Sequence, residues 1–126
     1  MQDRPTAAEL LKVAQEFCEK DLMPNTEGRV RFHVRVLQNV LGILEREWAG
    51  EEDAVNAEWG RLKTLIDADA EQPDTFGATK DQVRAWNVVL SQRIRAGELD
   101  DRFDETVAAL SDTIEAKLRI ANPRYF

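Results

Sequence analysis

The side chains able to do chemistry are few, and most crowd into one stretch, Gly28–Trp48, reading GRVRFHVRVLQNVLGILEREW. It holds the single histidine, His33, and four arginines, Arg29, Arg31, Arg35 and Arg46, against two acids, Glu45 and Glu47. Arg29 falls one helical turn before His33, and Arg35 and Asn39 follow. These four form a candidate polar site, to be completed by a carboxylate from another helix. An imidazole set among Val30, Val36, Leu37 and Val40 must satisfy its ring nitrogens inside the core or at its edge. The favoured reading is a satisfied core histidine that fixes helix packing. The sharper one is a general base or a ligand contact. A second candidate is the ridge Arg31, Arg35 and Arg46, which could grip the phosphate or carboxylate of a coenzyme A-like or nucleotide-like anion. The plainer reading pairs these arginines with the chain's own acids.

Other chemistries fail on inventory. A di-iron bundle needs Glu-x-x-His twice, but the residue three before His33 is Val30. Asp67, Asp69 and Glu71 lack the order of a calcium loop. No metal and no cofactor are therefore expected. Neither Gly-x-Ser-x-Gly nor a phosphate-cradling glycine loop occurs, and Ser91 and Ser111 fall inside helical patterns. Cys18 is the sole cysteine, and its apolar helical position reads as a small buried hydrophobe. The tail Arg124-Tyr125-Phe126 is a candidate contact that either docks back on the helices or reaches a partner.

What must position these groups is a set of helices. Thr6 and Glu9 have capping-box spacing, and an apolar stripe follows to Leu22, where Met23-Pro24-Asn25 stops it. In the second predicted helix, 28–48, Val30, Val34, Leu37, Leu41, Leu44 and Trp48 step by four and three, with a second stripe at Phe32, Val36, Val40 and Ile43. An apolar arc of roughly 200° implies a central helix surrounded by the others. Ala49-Gly50 reads as a break before a third helix over about 51–68, with Trp59 on its seam. Asp67–Ala78 reads as an exposed loop. A fourth helix is expected from a Thr79–Gln82 capping box to a stop at Gly97, with Trp86 facing inward. A fifth runs from about Asp101 to Ala121, with Phe103, Val107, Leu110, Ile114 and Leu118 as its stripe. All three tryptophans, Trp48, Trp59 and Trp86, take seam positions and read as core. The expected fold is all-α: a single domain over 1–126, built as a five-helix antiparallel bundle around 28–48.

The chain's 126 residues suit one domain, and 43% hydrophobic content allows a core without disulfides. A net charge of −7 argues against nucleic-acid and membrane partners. No apolar run is long enough to cross a bilayer. The opening MQDRPTAAELL lacks a secretory pattern, so a cytoplasmic location is expected.

Three stretches, RPTAAELLKVAQEF (4–17), GRVRFHVRVLQNVLGILERE (28–47) and KLRIANPRY (117–125), together with RAGELD (95–100), resemble a bacterial family of small helical domains of unknown function. The resemblance implies a gene neighbourhood with acyl-CoA dehydrogenases and aminoglycoside-phosphotransferase-like kinases. The resemblance points to Gly28, Arg29, Phe32, His33, Arg35, Asn39, Asn122, Pro123, Arg124 and Tyr125, none with an assigned role. It implies an accessory to an acyl-CoA-related pathway. The leading expectation is a non-enzymatic interaction domain, with a kinase-like or acyl-CoA dehydrogenase-like partner or with itself. The alternatives are a small-molecule or catalytic site at His33 and a purely structural homodimer.

Overall fold

The computed structural model describes residues 3–126; Met1 and Gln2, which open the stretch read for a leader, lie outside the described residues. Among the described residues there are four α-helices and no strand: α1 (Ala7–Phe17), α2 (Gly28–Leu65), α3 (Phe76–Arg95) and α4 (Phe103–Ala121). The all-α expectation holds, whereas the five-helix count does not. The second and third predicted helices are one helix of 38 residues, about 57 Å long at 1.5 Å per residue. Ala49-Gly50 does not break it. A glycine inside a helix costs only about 1 kcal/mol relative to alanine, and no proline interrupts the run. Glutamate, alanine and leucine around Gly50 and Gly60 keep the hydrogen-bond ladder going.

The chain divides into two compact units. One comprises the residues up to Gly50 with Ile120–Asn122, the other Glu51–Arg119 with Pro123–Phe126.

In the first unit, α1 starts as its sequence dictates. Thr6 accepts from the Glu9 backbone N–H, and the Glu9 carboxylate accepts from that of Thr6. The helix ends in one π-helical turn, Cys18–Leu22. Cys18 and Val34 are buried here. Gln15 of α1 donates to Glu45 of α2 at 3.0 Å, and Arg46 donates to the Ile120 carbonyl at 2.7 Å.

The core lies in the second unit. Trp59, Leu62, Leu65, Ile66, Val83, Leu90 and Leu99 form one buried cluster, with Val55, Trp86 and Leu110 packed against it. The central role expected of residues 28–48 therefore belongs to the later turns of the same helix. Three further expectations are corrected. First, α3 starts one turn early: Thr75, not Thr79, caps it by accepting from the Ala78 N–H. Thr79 is instead buried, its hydroxyl donating to the Thr75 carbonyl at 3.1 Å. Second, α4 turns Thr106 and Leu110 inward and leaves Phe103, Val107 and Ile114 exposed. Third, Trp48 is 71% exposed rather than core.

Helix ends in this unit are closed by backbone geometry and by arginines. At the end of α2, Asp67 takes φ 51°, while the N–H groups of Asp67 and Ala68 return to the carbonyls of Thr64 and Lys63. Gly97 (φ 75°) and Glu98 close α3 in the same way, onto Ile94 and Arg93, at the predicted stop. Arg102 donates to the Thr64 and Leu65 carbonyls and to Asp67, and Arg93 to the Ile66 carbonyl. Glu105 also binds Arg102, and that hydrogen bond holds its carboxyl below the usual carboxylate range. The stabilisation this gives is present above that range and is lost as pH falls through the lowered value.

Continuity of α2 has a direct test. A Cβ added at Gly50 meets nothing within 4 Å. Gly50→Ala should stabilise the protein by about 0.5–1 kcal/mol in urea unfolding. A destabilising alanine would mean that the helix breaks there.

Candidate functional site

The first half of α2 carries the residues singled out by sequence, and most of its large apolar side chains are uncovered. His33 is exposed, as are Arg29, Arg31, Arg35 and Asn39. The core-histidine expectation fails because the only strongly buried residue on this stretch is Val34, about 100° round the helix from His33. Arg29 donates from Nε to His33 Nε2 at 3.3 Å, and the Phe32 ring meets the imidazole edge-on at 5.7 Å between centroids. The ring nitrogen is thus satisfied one turn along the same helix. Arg35 and Asn39 lie beyond that pair, on other sides of the helix.

The arginine ridge does not act as a unit. Arg46 reaches the Ile120 carbonyl, its guanidinium lying over Gly42, where an added Cβ would stand 3.2 Å away. Among the described residues Arg31 and Arg35 make no ion pair. An open depression of about 380 Å³ is lined by Gln15, Glu19, Gln38, Gly42, Glu45 and Arg46. It takes one of the three ridge arginines and two acids, a poor cradle for an anion.

What the stretch presents is apolar surface. Val30, Phe32, Val36 and Leu37 are exposed, and so are Val40, Leu44 and Trp48. At 100° per residue these seven fall within an arc of about 160°. At roughly 100 Å² each they offer about 700 Å² of apolar surface. That exceeds the few hundred Å² of an ordinary monomer patch and is near the share of one partner in a standard interface. Leu10, Val13 and Phe17 make a further exposed stripe on α1.

A polar cluster in the second unit went unnoticed in the sequence. Glu58 is buried at 6% exposure and accepts from Asn87 at 2.8 Å and from Lys117 at 3.0 Å. The signal was available: Glu58 sits between Val55 and Leu62 at helical spacing, so a charge occupies the apolar seam. Trp59 beside it donates to Gln82 and stacks obliquely on Trp86. The Glu58 carboxylate is thus buried and satisfied by both partners, with Lys117 reaching it from the surface.

In the tail, Pro123–Tyr125 forms a 3₁₀ turn, and Phe126 lies under the Arg119 guanidinium at 4.7 Å. Arg124 and Tyr125 remain exposed. Among the described residues no group of three or more His, Cys, Asp or Glu side chains is placed to hold a metal ion. None of their helices is long and apolar enough to cross a membrane.

A family model described as a domain of unknown function, DUF6285, matches residues 24–125. The chain belongs to this family. The DUF6285 match takes in α2, α3, α4 and the tail turn, and with them every candidate residue from Arg29 to Tyr125. Helix α1, and with it the 4–17 stretch of the resemblance, precedes the match. No curated protein and no solved structure matches the chain.

Two substitutions separate surface from core. His33→Gln should change unfolding free energy by less than about 0.5 kcal/mol, as for an exposed side chain. Lys117→Ala strips a partner from a buried carboxylate and should cost about 1–3 kcal/mol. Chemical denaturation reads both, and a large loss for His33→Gln would return the imidazole to the core.

Proposed function

We propose that this protein is a helical interaction domain, and that its working surface is the uncovered apolar arc of α2 between Val30 and Trp48. The observation that carries this reading is the exposure of seven large apolar side chains on one helix, while another core in the same chain is fully closed. Burying such a surface against a partner is worth roughly 25 cal/mol per Å² before the costs of association. The sequence resemblance to a family encoded beside acyl-CoA dehydrogenase-like and kinase-like enzymes supports an enzyme of one of those kinds as a client, and with it an accessory role in acyl-CoA metabolism. A catalytic or small-molecule site at His33 has less support, since Arg29 and His33 stand together on an open helix surface.

The test is a double substitution on the arc, Val40→Lys with Leu44→Lys. The variant should keep its helical circular dichroism and lose no more than about 1 kcal/mol of stability, because the positions are exposed. It should lose the associations of the wild type, read by sedimentation velocity and by co-purification from native cells. A loss of about 2–5 kcal/mol would instead mark these residues as internal core. Identical association of variant and wild type would remove the arc from function.

A further inference from the structure

The arc of α2 has opposite charges towards its two ends around an apolar middle, an arrangement that the interaction reading does not require. Counted outward from the midpoint between Gln38 and Asn39, Leu37 mirrors Val40 and His33 mirrors Leu44. Farther out, Val30 mirrors Glu47 and Arg29 mirrors Trp48. All eight fall on the uncovered side by helical spacing, and all are exposed. The pattern is apolar at its centre, with a cation at one end and an anion one residue short of the other.

Resting on the interaction-domain reading, we infer that the occupant of this surface is a second copy of the chain, its α2 running antiparallel across a two-fold axis near residues 38–39. A two-fold interface must be self-complementary: what residue i meets on the partner, the partner's residue i meets in return. Antiparallel pairing of this arc satisfies that rule with one surface. Leu37 packs beside Val40 of the partner subunit at the centre, where the area is apolar on both sides. At each rim Arg29 comes within a turn of Glu47 of the partner subunit, and its guanidinium can lie on the ring of Trp48 of the partner subunit. Parallel pairing would set Arg29 against its own copy and Glu47 against its own copy, two like-charge contacts. Antiparallel alignment also opposes the helix dipoles favourably. The five apolar residues of the mirrored set offer about 500 Å² from each chain, and Phe32 and Val36 on the flank bring the arc to about 700 Å², close to one partner's share of a standard interface.

Charge reversal tests both the partner and the direction. The full chain should sediment as a dimer at tens of micromolar. Arg29→Glu alone places four acids at the two rims, and Glu47→Arg alone places four arginines there. Each should raise the dimer dissociation constant by about tenfold or more. An equimolar mixture of the two variants should recover wild-type affinity as a heterodimer, because both rims then pair glutamate with arginine. Native mass spectrometry resolves the heterodimer by mass, and circular dichroism of each variant confirms its helices. A wild type that is monomeric at these concentrations overturns the second copy. So does a dimer indifferent to both reversals, or a mixture no tighter than its components. A monomeric wild type whose captured native partner is lost with the Val40→Lys, Leu44→Lys variant would leave the interaction reading standing and remove the dimer alone.

Discussion

The persistence of one helix from Gly28 to Leu65 sets the terms for everything else. Helix formation is cooperative, and a turn already formed extends into its neighbour unless proline or a strong cap intervenes. Between these residues neither occurs, so the chain has one long element where the periodic pattern suggests two short ones. Its later turns carry Trp59, Leu62 and Leu65 into a closed core. Its earlier turns carry an equally apolar set of side chains that no buried cluster includes. The same periodic pattern has two fates along one rod.

That division explains what was legible in the sequence. Local chemistry was read correctly where local groups decide the outcome. Thr6 and Glu9 satisfy each other's backbone, Gly97 supplies the left-handed residue that ends α3, and Cys18 is buried. Errors arose where the outcome depends on distant groups. Thr75 and Thr79 both offer a cap; Thr75 does the capping, and Thr79 buries its hydroxyl. Asp67 ends α2 in a conformation usually left to glycine, with Arg102 holding its carboxylate.

His33 shows the limit most plainly. The wheel placed it among valines and leucines, and that placement stands. Apolar periodicity reports that a face avoids water; it does not report whether this chain or another molecule does the covering. Reading amphipathicity as burial turned an exposed imidazole into a core residue. The converse slip hid Glu58, whose charge reads as surface although its position on the seam places it inside.

The closure of α2 by Arg102 reaches past the fold into the order in which it can be assembled. The terminal carbonyls of Thr64 and Leu65 are satisfied by a guanidinium that leaves the ribosome well after them. Until that side chain arrives, the last turn of the rod has only its own backbone and water to hold its end. The boundary of the longest element is therefore set locally by Asp67 and Ala68 and reinforced from the turn that leads into the last helix. A nascent chain can end this helix from local instructions and gains the guanidinium clasp only once residue 102 has been made.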